Sequence, residues 1–259
     1  MRTAISGFFV GAGAESVTVD ALDSTLPCFH ITADGVSLSG FTVTGALNGQ
    51  TDAILLDDAD NCTISNNIAT NNYWGITLSN AKNNTLTGNV ANLNTAVGIG
   101  LSGADTTGNQ IVGNTASNNA SNGILLSPGV GGNNIIDGNT VSANGKNGVS
   151  ISSSNNTVTN NTITGNATTN TQGAGIALFD PVSGNTIQFN TITGNTGYGG
   201  IGSISSGTND ISKNWWGSAT GPTNTNNPGG TGDVLWTNKA ITLLTYSPWL
   251  ANPPVHNVT

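Results

Sequence analysis

The charged residues of this chain that could do chemistry are few, and most of the acidic ones precede residue 61. Asp57, Asp58 and Asp60 form the densest acidic cluster. Three such carboxylates could hold a calcium ion, which prefers several oxygen ligands, although solvated turn residues would give the same pattern. Adjacent residues on a strand point to opposite faces, so Asp57 and Asp58 are not expected to act as a catalytic pair.

A second charged set is regularly spaced. Asp60, Lys82 and Asp105 are separated by 22 and 23 residues. If the chain repeats with that period, the two carboxylates stand two layers apart, about 9–10 Å. This exceeds the roughly 5–5.5 Å of a retaining glycosidase and lies at the edge of the inverting range. The set is therefore a candidate ligand face, and a ladder of exposed ion pairs is the alternative.

The remaining groups that carry catalysis are scattered. Arg2 is the only arginine, and His30 and His256 are expected to be isolated. Cys28 and Cys62 lie 34 residues apart, so we expect two buried thiols rather than a disulfide. Because no complete constellation for proton abstraction or hydrolysis is present, we expect a protein that is not an enzyme and that needs no cofactor, calcium apart.

A repeat must position all of these residues. An apolar residue is followed three positions later by one Asn and five positions after that by a second, as in Val158, Asn161 and Asn166. An inward Asn in each copy can hydrogen-bond the Asn above and below it, which predicts a structural ladder, whereas a disordered Asn-rich tract would leave them solvated. The ladder comprises Asn67, Asn89, Asn114, Asn139, Asn161, Asn190 and Asn214, at steps of 22 to 29 residues.

Each copy also contains a glycine followed by an apolar residue, any residue and a second apolar residue, as in Gly148-Val149-Ser150-Ile151. Apolar residues alternate with small polar ones in runs too short for helices, which indicates short strands. A single strand cannot bury its apolar face, so successive copies must stack on one another. The sequence predicts an all-β solenoid of about nine coils over residues 1–214.

This pattern resembles the right-handed parallel β-helix repeat family, the carbohydrate-binding and sugar-hydrolase type that includes NosD-like proteins and large surface proteins. The resemblance covers roughly residues 15–250 and implies a right-handed parallel β-helix. It implies no single function, because this fold hosts enzymes, adhesins and structural proteins. Copper handling of the NosD-like kind implies Met, His or Cys clusters, which one Met, two His and two Cys do not supply.

The segment 215–250 differs from the repeats and resembles the closing segment of surface β-helices. Its tryptophans are predicted to cap the last coil as large apolar plates, although exposed ones could instead stack on sugars. They are Trp215, Trp216, Trp236 and Trp249. Residues 251–259 are predicted to be a linker or tail, which suggests a neighbouring module or partner.

One outward strand carries two hydroxyl columns, which include Thr162, Thr164, Thr191 and Thr193. Ice-binding β-helices present similar arrays, so this is a second candidate ligand face. The preference of threonine for half-exposed strands is the alternative explanation.

The amino-acid composition limits the classes of molecule that this chain could bind. The net charge is −8, the pI is near 4.2 and only 7% of residues are charged, which argues against nucleic acid. No run is long enough to span a membrane. We expect an extracellular or cell-surface protein with a structural or adhesive role, whose uncovered first coil favours end-to-end self-association into filaments. The alternatives are a carbohydrate-binding or polysaccharide-degrading protein and, third, an ice-binding protein.

Overall fold

The computed structural model describes residues 7–22 and 25–255, and almost every element in it is a short parallel strand. Predictions for residues 1–6, and for the last four residues of the predicted linker, lie outside the described residues. No helix in the described ranges has the length and apolarity needed to cross a bilayer. The described residues include two 3-10 helices, Asn48–Gln50 and Ile241–Leu243.

The chain winds in turns, each of which contributes one strand to sheet A, one to sheet B and one to sheet C. The first four turns contain β1 (Phe8–Val10), β2 (Thr18–Asp20), β3 (Phe29–Ile31), β4 (Ser37–Ser39), β5 (Thr42–Thr44), β6 (Asp52–Asp57), β7 (Thr63–Ser65), β8 (Ile68–Thr70), β9 (Trp74–Ser79), β10 (Thr85–Thr87), β11 (Val90–Asn92) and β12 (Val97–Ser102).

The next four turns repeat this order. They contain β13 (Gln110–Val112), β14 (Thr115–Ser117), β15 (Ile124–Leu126), β16 (Ile135–Asp137), β17 (Thr140–Ser142), β18 (Val149–Ile151), β19 (Thr157–Thr159), β20 (Thr162–Thr164), β21 (Ile176–Leu178), β22 (Thr186–Gln188), β23 (Thr191–Thr193) and β24 (Ile201–Ser203). The closing strands are β25 (Asn209–Asp210), β26 (Pro222–Thr223), β27 (Gly232–Thr237) and β28 (Leu244–Thr245).

The three sheets run the length of the solenoid. Within the described ranges, sheet A is β1-β4-β7-β10-β13-β16-β19-β22-β25-β28, sheet B is β2-β5-β8-β11-β14-β17-β20-β23, and sheet C is β3-β6-β9-β12-β15-β18-β21-β24-β27-β26. Their strands pair in parallel. Eight turns thus supply a strand to every sheet within the described ranges, and the closing strands β25 to β28 belong to an incomplete ninth turn and the start of a tenth. The predicted all-β parallel solenoid is confirmed, with about the expected number of coils.

The predicted Asn ladder is present in the core. Asn89 donates from Nδ2 to Asn114 Oδ1 at 3.0 Å in the next turn and to the Ile64 carbonyl at 2.8 Å in the previous one. Its main-chain N–H donates to the same Asn114 Oδ1 at 2.9 Å. Each buried amide therefore has its donors and its acceptor satisfied, so the ladder avoids the cost of burying unpaired polar groups.

Two further Asn ladders run alongside this one, at the bends that precede and follow it in each turn of the solenoid. One runs through Asn84, Asn109, Asn134, Asn156, Asn185 and Asn209. The other runs through Asn72, Asn94, Asn119, Asn144, Asn166 and Asn195. Cys62 begins the first column in place of an Asn, and both Cys28 and Cys62 are free thiols. The three ladders fix where every turn bends.

In the Asn-Asn pairs of the sequence, the first Asn forms a bend of the backbone and the second belongs to the ladder. In Asn66-Asn67 and Asn160-Asn161 the first residue is exposed and has a positive φ, of 53° and 57°, while the second is buried in the ladder. Asn tolerates the left-handed conformation better than most residues, so the first member makes the bend. The second member then points inward and bonds to the next turn.

In several turns a glycine at the start of the sheet C strand is required by the ladder that begins at Asn72. A Cβ at Gly123 would lie 2.6 Å from Asn144 Nδ2, and one at Gly148 would lie 2.8 Å from Asn166 Nδ2. The ladder amide occupies the space that a side chain would need. The glycine column and the Asn column in the sequence are thus two halves of one packing arrangement.

The C-terminal segment 215–250 extends the sheets, and its tryptophans do not share one role. Trp216 is fully buried in the core, and Trp249 packs partly buried against it. The predicted capping role is wrong for Trp215 and Trp236, which lie on the outer faces. Successive strand residues alternate in direction, so Trp215 points out where Trp216 points in, and Trp236 points out where buried Leu235 points in.

Replacement of Asn139 by Ala is expected to destabilise the protein by at least about 3 kcal/mol, because several buried groups lose partners at once. They are the N–H and Nδ2 groups of Asn114, the Ile111 carbonyl and Asn161 Oδ1. Urea unfolding followed by circular dichroism measures the change. Asn238→Ala, at an exposed position, is the matched control and should change stability by less than about 0.5 kcal/mol. Equal effects of the two variants would contradict the ladder's structural importance.

Candidate functional site

The outer face of sheet C carries a cleft near its first turns. Leu55, Thr77 and Gly100 are aligned across β6, β9 and β12. In the same strands Asp57, Ser79 and Ser102 are also in register. The cleft has a volume of about 290 Å³, and it is lined by Asp52, Leu55, Trp74, Thr77, Ser79 and Ser102. Its residues therefore come from three successive turns.

Trp74 forms one wall of this cleft because Gly100 leaves room for it. A Cβ at Gly100 would lie 2.5 Å from Trp74 Cζ3, so the indole lies directly over the glycine backbone. Trp74 remains half-exposed on the outside of the sheet. A large aromatic ring held on a glycine and open to solvent is a flat surface on which a ligand ring can stack.

His30 and Asp57 lie beside the cleft on the same outer face of sheet C, and Asp52 is the charged residue of its lining. His30 Nε2 lies 3.0 Å from Asp57 Oδ2. The Thr77 hydroxyl donates a hydrogen bond to the Asp52 carboxylate. Burial raises the pKa of Asp52 from its ordinary value of 3.8 to about 6, although the Thr77 hydrogen bond and the nearby His30 lower it. The cleft thus contains one carboxyl group that is protonated in mildly acidic solution, and a contacting pair of His30 and Asp57 lies beside it.

Sequence reasoning missed this cluster. The prediction that His30 is isolated was wrong, because its partner Asp57 lies 27 residues further along the chain. The register pairs His30 with Leu55, which brings Asp57, two residues later on the same face, within reach. Knowledge of the register of the first, irregular coils would have revealed the pair. Trp74 has no repeat signal of its own.

The predicted face of Asp60, Lys82 and Asp105 does stack on successive turns. The Lys82 main-chain N–H donates to Asp60 Oδ1 at 2.6 Å, and Lys82 Nζ lies 3.6 Å from Asp105 Oδ1. The Lys82 and Asp105 side chains are both largely exposed. An exposed pair of this kind contributes about 0–1 kcal/mol to the free energy of unfolding, so these charges stabilise the stacking of turns only weakly. They also form no enclosed site.

The calcium hypothesis for Asp57, Asp58 and Asp60 does not agree with their geometry. Asp57 pairs with His30, Asp58 is exposed at a turn with φ 52°, and Asp60 binds the Lys82 main chain. Among the described residues, no group of three or more His, Cys, Asp or Glu side chains could hold a metal ion. The three carboxylates diverge because the chain leaves β6 after Asp57.

The predicted hydroxyl columns are aligned on sheet B. Thr162 pairs with Thr191, and Thr164 pairs with Thr193. Elsewhere in the columns, Ser117 is buried and bonds to Ser142 through their hydroxyls at 2.9 Å, and Trp215 is bridged to Thr191 at the last turn. Hydroxyls that bond to each other are less available to an external ligand.

Comparison with known families agrees with this architecture. The family model described as right handed beta helix region matches residues 27–179 and 108–216. The chain belongs to this right-handed beta helix family. A search of curated proteins found no match for this family member.

Three solved structures have similar folds. Alginate lyase from Paenibacillus sp. str. FPU-7 is 15% identical, with a TM-score of 0.61 over 79% of this chain and 77% of that chain. The Azotobacter vinelandii mannuronan C-5 epimerase AlgE6 A-module is 17% identical, with a TM-score of 0.53 over 71% and 53%. The Dettilon tailspike protein is 18% identical, with a TM-score of 0.55 over 82% and 54%. This beta helix chain thus matches about half of the epimerase module and of the tailspike.

Asp52→Asn is expected to stabilise the protein above pH 6 and to have little effect below pH 4. The wild-type free energy of unfolding falls as the pH rises from 3.8 to about 6, because the unfolded chain releases this proton while the folded protein retains it. The difference should reach on the order of 2–3 kcal/mol, and urea unfolding between pH 3.5 and 8 measures it.

A second variant fixes the direction of the effect. Thr77→Val removes the hydroxyl that lowers the pKa of Asp52, so the loss of stability should extend to higher pH. A difference between Asp52→Asn and wild type that does not change with pH would contradict the assignment.

Proposed function

We propose that this chain binds carbohydrate in the cleft on the outer face of sheet C. The observation that supports this most strongly is the position of Trp74, which lies over Gly100 with part of its indole exposed. Carbohydrate rings present flat C–H faces that pack on aromatic surfaces, and a tryptophan offers the largest such surface. Little reorganisation is needed, since the strand beneath already holds the ring.

Polar side chains line the cleft together with the ring. Asp52 supplies acceptors, while Ser79 and Ser102 supply hydroxyls that both donate and accept. The His30–Asp57 pair stands at the edge of the same face. An apolar aromatic surface with a few fixed polar groups around it is typical of a binding site for a small ligand.

The comparisons support a saccharide as the ligand class to test. Two of the similar structures are named as an alginate lyase and a mannuronan epimerase. Sequence identities of 15–17% make this likeness one of fold, so the ligand is proposed from the cleft itself.

We propose binding without turnover. Asp52 and Asp57 stand at opposite ends of β6, so their Cα atoms are five residue steps, or about 16 Å, apart. Paired glycosidase carboxyl groups face one site across about 5–9.5 Å, whereas Asp57 is not among the residues that line this cleft and contacts His30 instead. No lysine or arginine among the described residues lines the cleft to stabilise an anionic intermediate. We also propose an extracellular or cell-surface location, which the low proportion of charged residues supports.

Trp74→Ala is expected to weaken glycan binding at least about tenfold, since tryptophan side chains in such positions carry much of the binding energy. A glycan array identifies the ligand, and calorimetry with the best ligand measures the affinity. Trp215→Ala, which removes the same residue type from sheet B, is the matched control and should bind as wild type does. Absence of glycan binding by the wild-type protein, or equal losses in both variants, would contradict the proposal. Release of shortened or unsaturated products would contradict binding without turnover.

A second candidate function, which could coexist with the first, is end-to-end assembly. In the described chain β1, β2 and β3 are the edge strands of the three sheets. The side chains of Phe8 and Val10 are 84% and 73% exposed, whereas the equivalent strands of later turns alternate with buried residues. An apolar edge strand with unpaired backbone groups can pair with another chain. We propose a second copy of this chain as the partner, in a structural or adhesive assembly.

The double variant Phe8→Asp with Val10→Asp is expected to abolish this association, because charges on an edge strand oppose pairing. Light scattering over a range of concentrations, with electron microscopy of the same sample, measures it. Val255→Asp, at another exposed apolar position, is the control and should assemble as wild type does. A wild-type protein that stays monomeric at every concentration would contradict the proposed end-to-end assembly.

A further inference from the structure

A second cavity lies at the other end of sheet C, beside β26 and β27. It has a volume of about 660 Å³, and Asn224, Trp236 and Lys239 are among its lining residues. Trp236 is five strand spacings from Gly100 in the same outward column, about 24 Å away. The cavity is therefore a separate place on the molecule from the cleft at Trp74.

Trp236 is held rigidly at this cavity. Its ring stacks on Tyr198, with centroids 3.9 Å apart and planes inclined by 4°. Tyr198 in turn lies over Gly202, where a Cβ would be 3.0 Å from the tyrosine Cβ. The indole remains half-exposed. A glycine again makes room for aromatic rings on the outside of the sheet, as it does at Gly100.

One polar group of the cavity wall, the Asn224 amide nitrogen, lacks a hydrogen-bond partner, and a ligand could supply it. Asn224 Oδ1 accepts the Asn226 N–H at 2.8 Å, which fixes the orientation of the amide. Its Nδ2 group is buried and donates no hydrogen bond. A buried donor without an acceptor is unfavourable, and a ligand oxygen that accepts from it would remove this cost. Lys239 is exposed and supplies the positive charge of the cavity.

From this arrangement we infer that the cavity is a second saccharide site, and that it prefers sugars carrying a carboxylate. The sugar ring stacks on Trp236, its carboxylate faces Lys239, and one of its oxygens accepts from Asn224 Nδ2. The inference does not rest on the proposed cleft, because the two sites share no residue.

A carboxylate near Lys239, that of Asp180, provides a further test of the inferred site. Asp180 is close enough to Lys239 for the lysine charge to contribute to a lowered pKa of the Asp180 carboxyl group, whose main cause is its hydrogen bond from Ser206. A bound carboxylate would compete with Asp180 for Lys239. Removal of the Asp180 charge should therefore strengthen binding of an acidic sugar.

Calorimetry with trigalacturonate and with its neutral methyl ester tests the inference. The wild-type protein should bind the acid more tightly than the ester, and more weakly as salt is added. Trp236→Ala should weaken binding of both ligands at least about tenfold. Lys239→Gln should weaken binding of the acid alone by about two- to fivefold, as expected for an exposed charge pair. Asp180→Asn should strengthen it.

Trp74→Ala separates this site from the cleft and should leave binding of trigalacturonate at Trp236 intact. Trp236→Phe keeps an aromatic ring on Tyr198 and should retain part of the affinity, which guards against a simple loss of structure. The inference is overturned if the wild-type protein does not bind trigalacturonate, if Trp236→Ala binds it as tightly as wild type, or if Lys239→Gln weakens the acid and the ester equally. Loss of binding in Trp74→Ala with none in Trp236→Ala would also overturn it, while supporting the cleft.

Discussion

The buried asparagine amide is the interaction on which the rest of this structure depends. Each ladder amide bonds to the turn before it and the turn after it, as Asn89 does with Ile64 and Asn114. Because a buried amide without these bonds is costly, the turns cannot slip in register relative to one another. The glycines at the start of several sheet C strands, such as Gly123 and Gly148, follow from the same constraint, since the amide of the next turn fills the space of a side chain.

Fixed register is what allows distant residues to form a surface site. His30 and Asp57 meet only because β3 and β6 pair with one offset, and Trp74 lies over Gly100 only because β9 and β12 do. The side chains on the outer face of sheet C do not take part in the hydrogen-bonded ladders of the core. Its residues can therefore vary in type, and here they include aromatic rings at both ends, Trp74 and the stacked pair of Tyr198 and Trp236.

The period of apolar, glycine and asparagine residues was sufficient to predict the fold, because each of these columns has one physical task in every turn. The candidate site was not predictable in the same way. The first coils are irregular, so the sequence spacing did not reveal that Asp57 faces His30. The tryptophans of the closing segment were misjudged as a group, because alternation along a strand sends Trp216 inward and Trp215 outward. Hydrophobicity alone does not distinguish such neighbours.

The central claim is that rigidly held tryptophans on the outside of sheet C contact carbohydrate. The most direct test is the spectrum of isotope-labelled indole N–H groups, which gives one signal for each of the five tryptophans. On titration with a glycan identified as a ligand, we expect the signal of Trp74 to shift and that of buried Trp216 to stay in place. Shifts confined to Trp215 or Trp249, or none at all, would contradict this claim.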